Sequence, residues 1–251
     1  FVDKLLTVAG NYKTLYVMGC FGAPMTAENK KRYTQNHDYN KAAARVKMIN
    51  AASADTFGFD CVNLIKGILW GWSGDASRRY GGAAYPTAAA VVAGACPDVS
   101  ADGMIKICKE VSTDFSRIVP GAAVWLPGHI GVYIGDGLAV ECSPKWRNRV
   151  QVTAVSNIGQ KAGYNARKWT KWGKIPYIRY EEEIDMSREE LKALIRETVR
   201  EVLNEENPVY KDLKDVPEYW KPTAAALLDA GAVNGGTSAE VCATDLNLRK
   251  E

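Results

Sequence analysis

Four short β-rich runs follow one another between residues 122 and 155, and they constrain the fold of this 251-residue chain more than any other feature. The connections between the first three are short and contain glycine: Pro-Gly precedes His129, and Gly-Asp-Gly spans residues 135–137. Strands joined this closely pair antiparallel, because a parallel pair needs a long crossover. The runs are 122–126, 129–135, 138–143 and 149–155, with 175–180 as a further strand that closes the sheet. The pattern predicts an antiparallel meander.

The residues before the meander are typical of helices, and one helix start is well defined. Asp60 is a good N-cap residue, and apolar residues recur after it at spacings of three and four. These residues are Val62, Ile65, Leu69 and Trp72. We therefore expect Cys61 to begin a helix that faces a core. Helices followed by an antiparallel sheet define an α+β fold, here with N-terminal helices packed on a central sheet and a helical C-terminal appendage.

The distribution of charge changes sharply near residue 180. Residues 142–180 hold nine Lys or Arg and no acid, whereas residues 181–207 hold ten acids and four bases. Ser187 then opens a Ser-x-x-Glu capping box, which predicts an amphipathic helix of about five turns. We expect three parts: a catalytic domain, a linker helix and a small C-terminal piece. Their ranges are 1–180, 181–207 and 208–251.

The sequence argues against several classes of protein. It contains no run of about 18 apolar residues, so a membrane-spanning helix is not expected. The six cysteines form no Cys-x-x-Cys pair and no cluster with the two histidines, which argues against a zinc site, and we expect no metal or cofactor. The first ten residues lack the features of an intact secretory signal, but removal of an upstream signal would leave the same sequence.

A thiol at a helix start can be a nucleophile. The helix dipole and the unpaired amides there lower the pKa of a thiol and can hold an oxyanion. Of the two histidines, His37 lies in the polar stretch "YTQNHDYNK", whereas His129 begins a strand whose edge can present the ring to a neighbouring helix. We therefore expect His129 to be the base for Cys61, with a third side chain that fixes its tautomer.

Glu141 is the candidate for that third side chain, provided that the hairpin has the right register. A three-residue loop at 135–137 pairs Ile134 with Leu138 and places Glu141 on the same face as His129. A two-residue loop would place Glu141 on the opposite face. The hypothesis therefore predicts an odd-length loop, whose last Gly suits a left-handed bulge.

Each of the three residues also has a structural interpretation. Cys61 alone on a helix would more often be a buried core thiol, and His129 alone can be a structural imidazole. Glu141 can lie on the solvated face of a half-exposed strand. The order Cys, His, Glu in these local contexts favours catalysis.

Three segments resemble the NlpC-type peptidoglycan cysteine peptidases, a papain-like family. They are "YVMGCFGAP" (16–24), "FDCVNL" (59–64) and "GHIGVYIGDG" (128–137). The resemblance implies a papain-like fold and a thioester acyl-enzyme, with Cys61 as nucleophile, His129 as general base and then acid, and Glu141 as the orienting residue. It also implies that Tyr16 lines the site near the oxyanion and that Asp60 faces the amine side of the substrate.

The activity implied by the resemblance is hydrolysis of an amide in the stem peptide of bacterial cell walls, between a γ-linked D-glutamate and the following diamino acid. A phage or prophage endolysin released at lysis, or a secreted hydrolase, fits this interpretation. An N-acetylmuramoyl-L-alanine amidase and a non-catalytic wall-binding protein are alternatives. Four departures from the family pattern alter the expected substrate contacts: Val62 for Ser, Asn63 for Gly, Cys20 for the second Gly of the first segment, and Ala122 for the acid after Pro-Gly.

Aromatic residues are interleaved with bases in the segment 142–180. Trp146, Trp169 and Trp172 lie beside Lys or Arg, a pattern found in nucleic-acid-binding proteins. Buried indoles beneath a solvated rim are the favoured interpretation, because aromatic residues are core residues first. If this face binds a partner, an anionic wall polymer fits the resemblance better than nucleic acid.

The tail is either a partial wall-binding piece or a plain capping helix. The stretch "DVPEYWKPTAAALLDAGAVNGG" loosely resembles the opening of a surface-layer-homology module. It predicts a short helix from about Pro222 to Ala230 with a C-cap at Gly231. The longer helix at 187–206 is a candidate for pairing with a second copy of the chain.

Overall fold

The computed structural model describes residues 1–180, 188–206, 209–210, 213–230 and 241–242. The chain divides into two compact units, Phe1–Glu181 and Glu182–Glu251. The first unit has the predicted α+β class and contains all five candidate site residues. The papain-like assignment stays a prediction, as do the roles given to the three ranges of the chain.

The helices and strands of the first unit run in the following order. Up to residue 117 they are α1 (Val2–Asn11), β1 (Thr14–Tyr16), β2 (Phe21–Pro24), α2 (Ala27–Asn36), α3 (Asp38–Lys41), α4 (Ala43–Ala51), β3 (Phe57–Phe59), α5 (Cys61–Leu69), α6 (Ala88–Val92), α7 (Ala101–Ile107), β4 (Lys109–Ser112) and a 3-10 turn (Phe115–Arg117). They continue to residue 180 with β5 (Ala123–Leu126), β6 (His129–Gly135), β7 (Leu138–Ser143), β8 (Arg149–Val155), β9 (Ala166–Arg167) and β10 (Lys171–Lys174).

The start of α5 is fixed by its cap. The Asp60 side chain accepts a hydrogen bond from the backbone N–H of Asn63 at 2.8 Å, which satisfies one of the unpaired amides of the first turn. The predicted helix start at Cys61 is therefore confirmed. Every residue from Cys61 to Ile68 is buried, so this helix is enclosed on all sides and not only along the predicted apolar stripe.

Strands β5 to β8 form the predicted meander. The seven-stranded sheet has the order β4-β10-β5-β6-β7-β8-β9, and the successive strands from β5 to β8 pair antiparallel with one another. Ile130 and Val140 join a core cluster with residues of α1, α5 and α7. Because side chains alternate along a strand, the adjacent His129 and Glu141 project from the opposite face, where Trp169 belongs to a second cluster.

The body of the β6–β7 hairpin has the predicted register. Val132 pairs with Val140, which is the pairing that a three-residue loop at 135–137 requires. With this register, His129 and Glu141 lie on one face of the sheet.

The turn of this hairpin differs from the predicted three-residue loop. Asp136 and Gly137 alone connect the strands, and both have positive φ values, of 51° and 72°, as in the tight turns that Asp-Gly favours. Leu138 consequently pairs with Gly135, and a register shift between Tyr133 and Gly135 absorbs one residue. The shift restores the parity that a two-residue turn alone would have reversed.

The segment 175–180 does not form the strand that the sequence predicts. The sheet instead continues with β10, which pairs antiparallel with β5 and with β4. Pro176 has no N–H to donate to a strand ladder, so β10 ends before it. The Tyr180 hydroxyl accepts from the Ile175 N–H at 2.6 Å and donates to the Gly121 carbonyl at 3.1 Å. These bonds hold the segment against the chain that enters β5.

The second unit contains one long helix and several short elements. They are α8 (Arg188–Glu206), β11 (Val209–Tyr210), a 3-10 turn (Leu213–Asp215), α9 (Lys221–Asp229) and β12 (Val241–Cys242). Both predicted helices are present, while their predicted cap residues, Ser187 and Gly231, lie outside the described residues. Leu194, Ile195 and Val199 on α8 are 48%, 53% and 51% exposed, and pairing of this helix with a second copy stays a prediction. Within the described ranges, no helix is long and apolar enough to cross a membrane.

We expect the hairpin turn to stabilise the fold through its backbone geometry. Gly137→Ala places a Cβ on a left-handed residue and 3.1 Å from the Lys161 Cε atom, so the free energy of unfolding should fall by about 1–2 kcal/mol. Asp136→Gly is the matched control, since it relieves left-handed strain while adding chain entropy, and should change stability by less than about 0.5 kcal/mol. Urea denaturation followed by circular dichroism measures both. Equal destabilisation by the two variants would contradict this account.

Candidate active site

His129 and Glu141 are in direct contact. His129 is the first residue of β6, Glu141 lies on β7, and the His129 Nε2 atom is 2.6 Å from Glu141 Oε2. The side chain of Glu141 is fully buried, and that of His129 is 13% exposed. Because this contact occupies Nε2, Nδ1 is the ring nitrogen left to serve a neighbouring group.

Gly131 allows this contact because a side chain at its position would collide with the next strand. A Cβ atom at Gly131 would lie 2.9 Å from the Val140 carbonyl oxygen and 3.2 Å from both Glu141 Cβ and the Trp169 ring. The glycine of "HIGVY" therefore has a physical reason. It leaves room for the carboxylate and the indole to approach the histidine.

The Trp169 ring stacks on the imidazole of His129. The ring centroids are 5.5 Å apart and the planes differ by 10°. Trp169 is buried, as is Trp172, whose Nε1 donates to the Asp114 carbonyl at 2.7 Å. Two of the three tryptophans considered for a binding surface are therefore interior residues, in agreement with the favoured interpretation, whereas Trp146 is half-buried.

Two further hydrogen bonds and an ion pair reach the Glu141 carboxylate. Thr153 Oγ1 and Arg167 Nε each donate to Oε1 at 2.8 Å, and Arg167 Nη2 forms an ion pair with Oε2 at 2.8 Å. Burial alone would raise the pKa of Glu141, but the hydrogen bonds and charges of His129 and Arg167 outweigh burial and hold the pKa below its ordinary value of 4.5. The carboxylate is therefore ionised at neutral pH.

Neither Arg167 nor Thr153 was predicted from the sequence. Arg167 is 26 residues from Glu141 and lies on β9, a two-residue strand that pairs parallel with β8. No periodicity reveals so short a strand. The charge distribution was the available signal. Residues 142–180 hold nine bases and no acid, and a buried Glu141 needs a base as partner, which this segment could supply.

The sulfur of Cys61 lies beside backbone amides at the starts of α5 and β6. Burial, and then the Asp60 carboxylate, raise the pKa of Cys61 to about 12, and hydrogen bonds from the N–H groups of Val62 and Ile130 offset this only in part. The helix-start amides lower this pKa as expected, but the expected net depression is wrong, because the desolvation of a thiolate outweighs the amides. Ile130 directly follows His129, so its amide places the sulfur against the first residues of β6.

Asp102 fixes the turn that leads into His129. Its Oδ1 atom accepts a hydrogen bond from the Gly128 N–H at 2.8 Å and from Trp125 Nε1 at 2.9 Å. These two donors stand on either side of the β5–β6 turn, so one carboxylate ties the turn closed. Asp102 was also not predicted from the sequence.

A cavity of ≈ 490 Å³ opens beside the thiol. Its lining includes Tyr16, Phe21, His37, Asp60, Cys61, Val62, Lys66, Trp70, Tyr85, Asp98 and Gly128. The structure therefore brings both predicted substrate-contact residues to the same cavity as the thiol. It also brings His37 there, although the sequence indicated only a polar surface position for this residue.

Three donors hold the Asp60 carboxylate. Oδ1 accepts from the Asn63 N–H at 2.8 Å, and Oδ2 accepts from the Gly19 N–H at 2.8 Å and from Asn63 Nδ2 at 2.7 Å. The last bond exists because Asn63 replaces a Gly of the family pattern. Asp60 thus fastens the start of α5 to the loop after β1, and its contact with the amine side of a substrate stays a prediction.

The other departures from the family pattern are apolar or buried. Val62 lines the cavity and presents methyl groups in place of a hydroxyl. Cys20 and Ala122 are both fully buried, and burial raises the pKa of Cys20 to about 12. None of these three side chains adds a charge to the cavity.

An ion pair between the buried Lys66 and the half-exposed Asp98 forms another part of the cavity wall. The Lys66 ammonium, whose side chain is 4% exposed, donates to Asp98 Oδ1 and to the Val99 carbonyl. The Tyr85 hydroxyl donates to Asp98 Oδ2 at 2.8 Å. These contacts join the chain before α7 to the middle of α5, so both walls of the cavity are braced.

The arrangement as a whole suits acyl transfer. The imidazole and the carboxylate are in contact, and the thiol is bonded to the Ile130 amide that follows the imidazole residue, with helix amides next to the sulfur. Neither His129 nor Glu141 lines the cavity itself. Among the described residues, no group of three or more His, Cys, Asp or Glu could hold a metal ion.

Comparison with known proteins gives little beyond this geometry. No family model and no curated protein matches the chain. Among solved structures, the chain is similar to the peptidoglycan hydrolase RipB from Mycobacterium tuberculosis at 23% identity, over 51% of this chain and 49% of that one, with a TM-score of 0.28. The chain thus spans about half the length of the solved chain that it matches. A superposition this loose identifies no activity, so any function has to be inferred from the site itself.

We expect alanine to have opposite effects at two glycines. Gly131→Ala should lower the free energy of unfolding by about 1–3 kcal/mol, because its Cβ collides with backbone and with the Glu141–Trp169 contact. Gly10→Ala is the control: a Cβ there meets nothing within 4 Å on α1, and alanine should stabilise that helix by about 0.5–1 kcal/mol. Chemical denaturation measures both. An unchanged stability of Gly131→Ala would show that β6 and β7 can move apart to make room for a Cβ without a loss of folding free energy, and would contradict this account.

We also expect the reactivity of Cys61 to show that it rests as a thiol. Its rate of alkylation by iodoacetamide should rise about tenfold per pH unit between roughly pH 7 and 9, because the thiolate fraction does so below a pKa of about 12. Peptide mapping after brief labelling gives the rate, and the fully buried Cys142 is the control that should stay unlabelled. A rate that is already constant near neutral pH, and that His129→Ala abolishes, would instead show a resting thiolate–imidazolium pair.

Proposed function

We propose that this chain is a cysteine hydrolase that cleaves an amide bond in the stem peptide of bacterial peptidoglycan. The observation that carries the proposal is the 2.6 Å contact between His129 and the buried, ionised Glu141. The Cys61 thiol lines a cavity and is hydrogen-bonded by the N–H of Ile130, the residue after His129. The three segments that resemble NlpC-type peptidases supply the substrate class. Action on the cell wall follows from that substrate, after secretion or after release at phage lysis.

The first half of the proposed reaction forms a thioester. The Cys61 sulfur attacks the carbonyl carbon of the scissile amide while His129 Nδ1 accepts the thiol proton. The carbonyl electron pair moves onto oxygen, and backbone N–H groups at the start of α5 are placed to donate to that oxyanion. The carbon–nitrogen bond then breaks, and the leaving amine takes the proton from the imidazolium.

The second half releases the acid and restores the thiol. Water attacks the thioester carbon as His129 Nδ1 accepts one of its protons, and the new tetrahedral centre expels the sulfur. The departing thiolate recovers the proton from the imidazolium. Glu141 stays ionised throughout, and it stabilises the imidazolium in both halves.

The pKa of Cys61, about 12, favours general-base catalysis over a preformed ion pair. Proton transfer to His129 then accompanies the attack on the carbonyl and does not precede it. A bound substrate that fills the cavity would keep water from the reacting atoms during this step.

The proposed bond lies between γ-linked D-glutamate and the diamino acid, as the resemblance implies. A second candidate is the amide between muramic acid and L-alanine. Two observations favour keeping it: the Asp60 carboxylate already accepts three hydrogen bonds, and Val62 removes a hydroxyl from the cavity wall. The occupied carboxylate of Asp60 and the missing hydroxyl at Val62 both alter the contacts expected for the amine side of the substrate.

Digestion of purified peptidoglycan tests the proposal. Mass spectrometry of the soluble products should show new D-glutamate carboxyl termini for the endopeptidase. Free L-alanine amino termini would identify the amidase. An absence of soluble products would contradict hydrolysis and favour a wall-binding protein.

Matched variants test the assigned residues. Cys61→Ala and His129→Ala should each lower kcat at least about 100-fold, the range for loss of a nucleophile or a general base. Cys108→Ala, at a buried thiol outside the cavity lining, is the control and should keep most activity. His37→Ala should change KM more than kcat, because His37 lines the cavity but is not bonded to Glu141. An equal fall in kcat for the two histidine variants would contradict the choice of His129 as the base.

A further inference from the structure

Arg167 contacts both oxygens of the Glu141 carboxylate. Nε donates to Oε1 at 2.8 Å, and Nη2 forms an ion pair with Oε2 at 2.8 Å. A two-point contact between a guanidinium and a carboxylate fixes the plane of the carboxylate as well as its position. The same guanidinium donates to Ser143 Oγ at 3.2 Å. The carboxylate therefore has a single orientation, in which Oε2 faces the ring of His129.

Two indoles hold the guanidinium in turn. Its central carbon lies 4.7 Å from the ring centroid of Trp146 and 5.5 Å from that of Trp169, and the Arg167 side chain is only 12% exposed. Trp146 has a φ value of 64°. A bulky residue keeps this conformation only where the surrounding structure imposes it. The loop between β7 and β8 is thus shaped so that an indole covers Arg167.

We propose that Arg167 is a positioning residue, which acts through Glu141 to keep the His129 ring oriented with Nδ1 free for the thiol. Trp169 contributes to the same orientation, because it contacts both the guanidinium and the imidazole. The inference rests on the proposed function for its kinetic test. Its spectroscopic test needs no substrate.

The charge of Arg167 also determines the protonation of Glu141. The polar groups that face this carboxylate are His129 on β6, Thr153 on β8 and Arg167 on β9, while Cys142, next on β7, projects from the other face of the sheet. Without Arg167, one of the two groups that lower the pKa of Glu141 against the effect of burial is lost, so this pKa rises. A protonated Glu141 cannot stabilise an imidazolium. As the pH falls, a variant without Arg167 should therefore lose its active form at a higher pH than the native protein does.

Nitrogen-15 NMR of the full chain with labelled histidine observes the ring directly. The chain has two histidines, so His37→Gln assigns the signals. Native protein should show the Nε2–H form of His129 with a strongly deshielded proton, because that proton is shared with Glu141 at 2.6 Å. Arg167→Met should remove this signal, Arg167→Lys should keep it in part, and Lys168→Met should leave it unchanged. Lys168 is the matched control, since it is exposed, adjacent and not a partner of Glu141.

Kinetics give the second measurement. Arg167→Met should lower kcat roughly 100-fold with little change in KM, and it should move the acid limb of the pH profile to higher pH. In the Glu141→Gln background, the same change should lower kcat by no more than about twofold, because a residue that acts through Glu141 has nothing left to position. That double variant removes the buried charge together with its partner, so it also covers the case in which Arg167→Met alone fails to fold.

The outcomes separate the two proposals. A native histidine signal in Arg167→Met, or equal losses from Arg167→Met in the native and Glu141→Gln backgrounds, would overturn the role of Arg167. An absence of hydrolysis by the native protein would overturn the proposed function, and the NMR comparison would still decide the inference about Arg167.

Discussion

A fully buried carboxylate is the constraint on which the candidate site depends. Taking an ionised carboxylate out of water costs several kcal/mol, so Glu141 is tolerated only because His129, Thr153 and Arg167 bind it. These partners come from three different strands, β6, β8 and β9. The sheet must therefore be paired as far as a two-residue strand before the carboxylate is satisfied, which links completion of the fold to formation of the site.

Helix α5 and the sheet place their two ionisable candidate groups, Cys61 and Glu141, in opposite electrostatic conditions. On the sheet side, bonds to neighbouring groups keep a carboxylate charged despite burial. On the helix side, burial keeps the Cys61 thiol neutral despite the helix amides. The difference follows from the charge of the partners. The carboxylate has the Arg167 guanidinium within hydrogen-bond distance, whereas the sulfur has only backbone amides. In the proposed reaction, transfer of the Cys61 proton to His129 is then the step that substrate binding must promote.

The sequence predicts the parts of this structure that are encoded locally. The N-cap at Asp60, the four meander strands and the pairing of Val132 with Val140 follow from nearest neighbours and alternation. The two-residue turn with its register shift does not follow from the sequence. The alternation of side chains fixes only the total number of residues in the turn and the bulge, and not how they are divided between the two. Arg167 is separated from Glu141 by β8 and by the irregular segment 156–165, and the pKa of Cys61 depends on burial. Both of these are tertiary properties that no local pattern contains.

The shared parity of turn and bulge has a consequence for how this hairpin can vary among related chains. The Asp136–Gly137 turn can be one residue longer if the irregularity near Gly135 is one residue shorter, and Glu141 then stays on the same face as His129. Loss of a residue from one place without gain at the other would turn the carboxylate toward the helices. Insertions and deletions along this stretch should therefore occur in compensating pairs, and an alignment that counts spacing from the histidine alone will misplace the gap.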